Sequence, residues 1–577
     1  MTSSRRCPRG TALPAPLVLC LLPLLPLLSL LLTPSAPPPA PAPRAGAVTA
    51  PAAGVAPAAG VAPVAASAAV APAAAPSAPV APGRPGIPPL IDERGRELTL
   101  RGWNVEDKTH RGEAALSAIT ERHFRDLRAY GFGFARLLVF WDDLEPRPGR
   151  YSAGYLRKIE RVLDWAARHR IRVVIDAHQD VYGPAFGHRG IPEWATRTDG
   201  LPFTRHPDDW FAEYFEPAVQ RAFTHLYEDA DLRRAQAAMW RLLAARFGKH
   251  PAVFGYDLIN EPMGELRPGE GTPDAARRIE REQLTPMYRR LAGAVRVVDR
   301  DSWLFVEPTP VVGEGVPTGL GRIRDPRLVY APHFYNTAME AGADYDPAAG
   351  WIEAYEAAVT VYPAAHRVPV VVGEWGPLNN AQPNTGRFYR DALASLDRYA
   401  SGWAGYVWCY GGGYCALDER GRLRVNKDLT AAPYPEAVAG RLLARGPGGF
   451  RYLAGRGGPT VLSLPPGPRG WRVTVSGRAW PRTTVTAPGA AARVRIWAVP
   501  GAEVRVAVDP GRRVAVPADL SRPQGSRTAT ALTSGAGHGR PRRSPGPPGT
   551  GSPDGTPPVP SGYGAQAHRC VRGPGRP

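Results

Sequence analysis

Cysteine is scarce in this chain, with five in 577 residues. Cys7 and Cys20 lie in the apolar start of the chain, which leaves Cys409, Cys415 and Cys570 in the remainder. The absence of any CxxC pair or metal-ligand spacing excludes zinc ribbons and thioredoxin-like motifs, so we predict no metal and no cofactor. Cys409 and Cys415 flank a glycine turn, and the sequence leaves open both a disulfide and two free thiols.

Long apolar runs are also missing, with one exception at the start of the chain. Three arginines precede a leucine-rich run at 17–32, and a basic start followed by an apolar run is typical of a secretory signal. Residues 1–47 are therefore predicted to be a signal peptide with small residues at a 45–47 cleavage site, or else an uncleaved membrane anchor. Because no other segment could span a bilayer, we expect a secreted, extracellular protein, or one tethered by this segment.

Acidic residues are too few to balance the basic ones, since 52 Asp and Glu face 71 Lys and Arg and leave a formal net charge of +19. Most of the basic residues are arginines scattered among Ala, Pro and Gly, which is unlike a nucleic-acid-binding stripe. We therefore predict no nucleic-acid partner. The excess favours a mild, peripheral attraction to anionic membrane surfaces. We expect the chain to be a monomer.

Proline and glycine, in contrast, are abundant, with 66 and 63 residues, and many of them lie near the two ends. Residues 48–86 are Ala, Pro and Val and are predicted to form a semi-rigid linker. Residues 516–577 are rich in Gly, Pro, Ser and Arg and are predicted to be a disordered tail. Neither end has the composition of a packed core.

The middle of the chain alternates short apolar runs with amphipathic helical patterns, which predicts an α/β fold, a (β/α)8 barrel over residues 87–432. The predicted strands cover residues 98–105, 134–140, 172–178, 253–261, 303–307, 329–335, 370–375 and 405–410. Short alternating runs follow in residues 433–515 and predict a small β-sandwich. We expect it to support the barrel, with carbohydrate binding as the alternative.

Barrels of this kind carry their function at the carboxyl ends of the strands. Glu261 lies at the end of the predicted fourth strand and Glu374 at the end of the seventh, nearly opposite each other around the ring. A retaining glycosidase needs two carboxyl groups about 5 to 5.5 Å apart, one to protonate the leaving oxygen and one to attack the sugar. Asn260 and Arg136 stand where they would help to separate the pKa values of the two carboxyls. The pattern therefore predicts a retaining glycoside hydrolase.

Several strings resemble glycoside hydrolase family 5, and more narrowly its endoglycoceramidases, over roughly residues 90–440. Asn-Glu-Pro stands at 260–262 and Gly-Glu-Trp-Gly at 373–376. Leu-Arg-Gly-Trp-Asn stands at 100–104, and the most distinctive string, Asp-Ala-His-Gln-Asp-Val-Tyr, at 176–182. The resemblance implies a secreted endo-β-glycosidase that cleaves the bond between oligosaccharide and ceramide in glycosphingolipids.

The resemblance also implies the roles of individual residues. Glu261 would be the acid/base and Glu374 the nucleophile, with Asn260 holding the sugar 2-hydroxyl and Trp408 forming an apolar floor. The residues implied to bind substrate are Lys108, Arg136, His178, Asp180, Asn260, His333, Tyr335 and Trp408. The chain departs from the family with Trp375 after the nucleophile, where Phe is commoner, and in the Gly-rich eighth-strand loop.

Other interpretations remain open from the sequence. Asp176 is expected to be a buried supporting group, and Glu307, which precedes a proline, is expected only to close its strand. Aromatic residues between 180 and 233, among them Trp194 and Trp210, fit either a loop core or an apolar face for lipid chains. The alternative substrates are those of a β-glucanase, a β-mannanase or a glucosyl-lipid β-glucosidase. A non-catalytic glycan-binding surface protein is the alternative from another class.

Overall fold

Eight parallel strands close into a barrel in the computed structural model, which describes residues 86–377 and 382–511. Seven of them form one continuous sheet. In chain order they are Leu100–Val105, Phe134–Phe140, Arg172–His178, Val253–Asp257, Trp303–Val306, Leu328–Tyr330 and Gly402–Gly405. Residues 370–375 fill the gap between the last two, bridging Tyr330 through Val370 and Trp403 through Val372. The predicted (β/α)8 barrel is confirmed.

Helices surround the barrel because each presents an apolar face to the strands. Ala153–Arg168 begins where the Ser152 hydroxyl accepts the backbone N–H of Tyr155, and it buries Leu156, Ile159 and Leu163. The other α-helices are Glu121–Ala129, Trp141–Leu144, Pro217–Glu228, Ala230–Phe247, Thr272–Ile279, Thr285–Arg296, Thr337–Glu340, Trp351–Val359, Val361–His366 and Thr385–Tyr399. A π-turn at Glu280–Leu284 joins two of them. Short 3₁₀ turns occupy Gly112–Ala114, Pro184–Phe186, Glu193–Ala195, Trp210–Phe215, Pro310–Glu314, Pro347–Ala349 and Lys427–Thr430.

Two antiparallel five-stranded sheets follow the barrel and form the predicted sandwich. One sheet contains, in spatial order, Glu97–Leu98, Tyr434–Val438, Thr460–Leu464, Ala492–Ala498 and Ala479–Trp480. The other contains Gly440–Gly446, Gly449–Ala454, Glu503–Pro510, Trp471–Ser476 and Thr483–Val485. Alternate residues such as Val473 and Val475 point into the core between the sheets, as period-two patterning requires.

The sandwich packs against the amino-terminal end of the barrel strands. The carbonyl of Gly131, just before the second strand, accepts hydrogen bonds from Ser463 at 2.6 Å and from Arg493 at 3.2 Å. Arg101 on the first strand pairs with Asp397, whose backbone carbonyl also accepts a hydrogen bond from Arg445 of the sandwich. The sandwich therefore lies at the opposite end of the barrel from the carboxyl ends of the strands.

The eighth strand differs from its prediction. It was expected at 405–410 but lies at Gly402–Gly405, where it pairs in register with Leu100–Val105. Gly402 and Gly405 face backbone and the Trp103 ring closely enough that a side chain at either would collide, so this pairing requires glycine. The residues after 405 consequently leave the barrel as a loop.

Three predictions concern segments outside the described residues: the signal or anchor at 1–47, the linker except for its last residue, and the tail at 516–577. Across residues 86–377 and 382–511, no helix has both the length and the apolar character that a bilayer crossing requires.

Candidate active site

The carboxyl ends of the barrel strands gather the polar residues that the sequence pointed to. Glu374 ends the strand that closes the barrel, Arg136 lies within the second strand, and His178 ends the third. Glu261 stands four residues after the fourth strand, on a loop that is buried with it. Because all of these strands are parallel, their ends meet at one edge of the barrel, where the side chains come into contact.

Both oxygens of the Glu374 carboxyl group accept a hydrogen bond. Its Oε1 accepts a hydrogen bond from Arg136 Nη1 at 2.6 Å, and its Oε2 accepts one from the Tyr335 hydroxyl at 2.9 Å. The side chain of Glu374 is only 6% exposed. A buried carboxyl group held by two donors has a fixed orientation.

Arg136 places a buried positive charge among the carboxyl groups of the site. It is 1% exposed and contacts Asp176, Asp257, Glu307 and Glu374, with nitrogen–oxygen distances of 2.6 to 2.9 Å. Burial alone would lower the pKa of the Arg136 guanidinium, but these four carboxyls outweigh it and raise the pKa well above its usual value. Oxygens of three of them also lie within 4.8 Å of one another, a ligand set that could suit a metal. Here the guanidinium already supplies their countercharge.

Glu261 is held in a different environment. Burial, opposed by the neighbouring His333, raises the pKa of its carboxyl above the usual value. His333 Nδ1 lies 2.9 Å from Glu261 Oε1, and the backbone N–H of Glu261 donates to Glu307 Oε2 at 2.8 Å. The φ angle of Glu261 is +38°, in a region that residues other than glycine seldom adopt. The Glu261 carboxyl is therefore buried, has a raised pKa and stands on a strained backbone.

The two glutamates face each other at short range. One carboxylate oxygen of each and a ring nitrogen of His333 all lie within 4.8 Å of one another. A retaining glycosidase keeps its two carboxyls about 5 to 5.5 Å apart, whereas an inverting enzyme needs about 6.5 to 9.5 Å to fit a water. The short separation matches direct attack by one carboxylate on the sugar.

A second polar cluster lies beside Glu374, where the first and third strands end. Lys108 Nζ is 2.9 Å from Asp180, and His178 contacts Asp176 at 2.7 Å and Asp180 at 3.5 Å. Burial and Lys108 act to lower the pKa of His178, but Asp176 and Asp180 outweigh them and raise it to about 9. Glu106, which the sequence reasoning missed, completes the cluster, and burial raises its pKa. This wall offers charged donors and acceptors suited to sugar hydroxyls.

Asn260 lies next to Glu261 with both ends of its amide engaged. Its oxygen accepts from Arg136 Nη2 at 2.9 Å, and its nitrogen donates to the carbonyl of Gln179 at 3.0 Å. The Gln179 side chain in turn donates to the backbone carbonyls of Asn260 and Glu261, at 2.8 and 3.0 Å. Gln179 belongs to the string that carried the family resemblance, but its part in fixing this loop became visible only in the fold.

Trp408 is the predicted site residue that the structure places elsewhere. Its indole is 1% exposed, packs against Trp103, Tyr130 and Phe132, and donates its N–H to the backbone carbonyl of His123. Because the eighth strand ends three residues before it, Trp408 lies in this buried cluster, and the structure does not support an apolar floor at Trp408. Tyr406, one residue after the strand, lies instead among the groups around Glu374.

Tyr406 is surrounded by groups of the site. Its hydroxyl donates to Glu106 at 3.0 Å, its ring centroid lies 6.4 Å from that of Tyr335, and Lys108 Nζ lies 5.3 Å from its ring centroid. Tyr414, also missed, packs on both tyrosines and donates its hydroxyl to Glu340. A strand end placed at 405 would have identified Tyr406 from the sequence.

A disulfide closes the loop that carries Tyr414. Cys409 and Cys415 are bonded, which resolves the two alternatives that the sequence left open. The turn between them is Gly-rich, and Gly411 and Gly413 both have positive φ angles. The covalent link holds this turn, and Tyr414 with it, against Tyr335.

The aromatic insert after the third strand divides into two parts. Trp194 packs edge-on against Trp141 and donates to the carbonyl of Glu145, so it belongs to a loop core. Trp210 is 47% exposed and Leu201 is 37% exposed, whereas Phe211 is partly buried beneath them. The insert, which follows the carboxyl end of the third strand, therefore also carries exposed apolar side chains at Trp210 and Leu201.

A (β/α)8 barrel with two close, differently stabilised glutamates at its carboxyl edge has the architecture of the barrel glycosidases. The family model of Cellulase (glycosyl hydrolase family 5) matches residues 91–412. The chain belongs to glycosyl hydrolase family 5.

Two relatives of this chain are endoglycoceramidases. The chain is 31% identical to an endoglycoceramidase of Hydra vulgaris over 38% of its own length and 47% of that protein. It is 26% identical to endoglycoceramidase I of Rhodococcus hoagii over 61% of its length and 72% of that protein. Thus the chain spans about half the length of the Hydra protein.

Solved structures extend the likeness. Endo-glycoceramidase II from a Rhodococcus species, in complex with ganglioside GM3, is 28% identical, with a TM-score of 0.62 over 73% of this chain and 99% of that one. The same enzyme captured as a lactosyl-enzyme intermediate is 29% identical, with a TM-score of 0.60. The resemblance to the endoglycoceramidases is confirmed.

Proposed function

We propose that this protein is a retaining endo-β-glycosidase that cleaves the bond between oligosaccharide and ceramide in glycosphingolipids. Glu374 is the nucleophile and Glu261 the acid/base. The observation that carries the proposal is the asymmetry of the pair. The Glu374 carboxyl accepts hydrogen bonds from Arg136 and Tyr335, whereas burial raises the pKa of Glu261, and oxygens of the two side chains lie within 4.8 Å of each other.

The first step forms a covalent intermediate. A Glu374 oxygen attacks the anomeric carbon, and the bond from that carbon to the ceramide oxygen breaks. Glu261 gives its proton to that oxygen, so ceramide leaves as a neutral alcohol and the sugar remains as an ester on Glu374. Arg136 counters the negative charge on Glu374 before attack.

The second step restores the enzyme. Glu261, now a carboxylate, takes a proton from water while the water oxygen attacks the anomeric carbon, and the ester bond to Glu374 breaks. Two inversions give a sugar product with its original β configuration. His333, 2.9 Å from Glu261, stabilises the carboxylate that this step requires.

Two features favour a glycolipid over a polysaccharide. The chain aligns with 99% of the Rhodococcus endo-glycoceramidase II structure in complex with ganglioside GM3. The exposed side chains of Trp210 and Leu201, on the insert after the third strand, offer apolar surface of the kind that an enzyme needs to take a lipid aglycone from a membrane or micelle. The Lys108–Asp180–Glu106 wall supplies polar groups for the sugar.

Product analysis tests the substrate. The protein is incubated with lactosylceramide, ganglioside GM3 and soluble cello-oligosaccharides, and the products are identified by mass. Release of intact lactose or sialyllactose together with ceramide is expected. Stepwise loss of single sugars, or activity on the cello-oligosaccharides alone, would contradict the glycolipid proposal and favour a β-glucosidase or β-glucanase.

Azide rescue tests the two roles with an activated aryl β-lactoside. Glu374→Ala with azide is expected to yield the α-glycosyl azide, because azide replaces the nucleophile in a single inversion. Glu261→Ala is expected to yield the β-glycosyl azide, because azide attacks the covalent intermediate. The opposite pairing would exchange the two assignments. A wild-type protein that binds lactose but turns over no substrate would instead be a glycan-binding protein.

Secretion completes the proposal and rests on the basic and apolar pattern of residues 1–47. Amino-terminal sequencing of protein recovered from culture medium is expected to begin near residue 48. Recovery of the uncleaved chain in the membrane fraction would favour an anchor.

A further inference from the structure

Glu307 is a buried carboxylate that the proposed reaction does not use directly. It follows the fifth barrel strand, Trp303–Val306, and its side chain is 2% exposed. Its backbone is fixed by Tyr288, whose hydroxyl donates to the Glu307 carbonyl at 2.8 Å and accepts its N–H at 3.3 Å. A charged group held this firmly in the interior has a role that its neighbours should reveal.

Apart from Arg136, which also contacts Glu374, the groups that contact the Glu307 carboxylate belong to the acid/base side of the site. Its Oε2 accepts the backbone N–H of Glu261 at 2.8 Å. Its Oε1 accepts Arg136 Nη2 at 2.9 Å and lies 3.3 Å from His333 Nε2, a charge contact rather than an aligned hydrogen bond. The other nitrogen of the same imidazole meets the Glu261 carboxyl at 2.9 Å. Glu307 therefore reaches Glu261 through both its backbone and its side chain.

The backbone contact matters because Glu261 has a φ angle of +38°. Such a conformation costs about 1 to 3 kcal/mol and persists only where the surroundings impose it. Glu307 supplies the acceptor for the N–H at the strained residue, and Gln179 donates to the carbonyl of the same residue. Without the Glu307 oxygen, the N–H would be left unsatisfied in the interior and the loop could relax.

His333 is fixed in a similar way. On the side of Nε2 it packs against Gly373, where even a Cβ atom would come within 2.8 Å of that nitrogen. The charged groups facing the imidazole are Glu261, Glu307 and Glu374, one from each of three strand ends. Burial lowers the pKa of His333, but these carboxylates outweigh it and raise it well above its usual value. Glu307 is thus part of what keeps His333 charged beside Glu261.

We infer that Glu307 is the positioning residue of the acid/base: it fixes the backbone of Glu261 and the imidazole that contacts the Glu261 carboxyl. This inference rests on the proposed function. In this role Glu307 makes no contact with substrate. Loss of the Glu307 carboxylate should therefore impair proton donation by Glu261 more than nucleophilic attack by Glu374. That difference separates positioning from a purely structural contribution.

The test compares two leaving groups in Glu307→Gln. The ceramide of lactosylceramide leaves as an alkoxide unless its oxygen is protonated, whereas the dinitrophenolate of 2,4-dinitrophenyl β-lactoside leaves without an acid. Since general acid catalysis contributes about 10²- to 10⁴-fold, we expect kcat/KM on lactosylceramide to fall about 10- to 100-fold further than on the aryl lactoside. Glu307→Asp, which keeps the charge but shortens the reach, should show the same preference.

Asp257→Asn is the matched control. Asp257 is another buried carboxyl on Arg136, at 2.9 Å from Nε, and the structure records no contact from it to His333 or to the Glu261 N–H within the described residues. Its variant should lower activity on the two substrates by similar factors. Equal losses on both substrates in Glu307→Gln and Glu307→Asp, or the same ratio as in Asp257→Asn, would overturn the inference.

Glu261→Ala separates this outcome from failure of the proposed function. It should lose activity on lactosylceramide far more than on the aryl lactoside. If it loses both equally, Glu261 is not the acid, and the proposed function fails independently of Glu307. If Glu261→Ala shows the selective loss and the Glu307 variants do not, only the positioning role is refuted.

Discussion

The hydrogen bond from Tyr335 to Glu374 gives a defined loss when it is removed. In Tyr335→Phe the Glu374 Oε2 loses a donor at 2.9 Å, while Arg136 continues to hold Oε1 at 2.6 Å. A hydrogen bond to a charged group contributes about 1.5 to 3 kcal/mol, and each 1.4 kcal/mol is a factor of about ten in rate. We therefore expect kcat/KM to fall about 10- to 150-fold, because the carboxylate can rotate away from its line of attack.

The assay measures kcat/KM on lactosylceramide and on 2,4-dinitrophenyl β-lactoside. Both should fall by similar factors, because Glu374, the proposed nucleophile, is needed whatever the leaving group. Tyr355→Phe is the matched control: its hydroxyl is buried, has no hydrogen-bond partner among the described residues, and belongs to a ring stacked on Phe334 next to Tyr335. A folded Tyr335→Phe protein within about threefold of wild type would refute the reasoning, since about 1.5 kcal/mol should be visible.

Three further changes test other parts of the structure. Arg136→Lys keeps the charge but offers three N–H donors, whereas the arginine makes five hydrogen bonds. The free energy of unfolding, measured in urea, should fall by about 3 to 6 kcal/mol. This loss should be far larger than that in Arg101→Lys, at the opposite end of the barrel. Trp210→Ala should raise KM severalfold for glycolipid in vesicles and leave the soluble aryl lactoside unchanged, whereas Trp497→Ala, an equally exposed tryptophan of the sandwich, should change neither. Cys409→Ser opens the disulfide and should destabilise the protein by about 2 kcal/mol, seen as a lower thermal midpoint under non-reducing conditions. An unchanged thermal midpoint would contradict this expectation. Equal urea midpoints for the two arginine variants would contradict the first expectation, and equal KM values for the two tryptophan variants would contradict the second.

Much of the barrel could be read from the sequence because its strands are continuous apolar runs that end in polar residues. Phe134–Phe140 and Arg172–His178 match their predicted bounds, since both are flanked by clear helical patterns. Glu261 and Glu374 could be singled out because strand ends in such a barrel converge by topology alone. Their separation and their partners required the fold.

The eighth strand and Glu307 show why the rest could not be predicted. Gly402–Gly405 is short and half glycine, so the apolar run after it favours a strand at 405–410 and points to Trp408 rather than to Tyr406. Glu307 has no local signature, because its importance depends on side chains that meet only when three strand ends come together. A periodic pattern reports which face is buried, but it does not report which buried groups touch.

The short strand Glu97–Leu98 links the beginning of the described chain to its end. It pairs with Tyr434–Val438 and forms one edge of a sandwich sheet, although more than 300 residues of barrel are synthesised between the two. During translation that strand has no partner until Tyr434–Val438 has been synthesised, and an unpaired sheet edge can pair with another chain. A protein shortened after residue 432 would keep both Glu261 and Glu374 but would leave the Glu97–Leu98 strand without its partner. The sandwich thereby makes completion of the chain a condition for a fully closed fold.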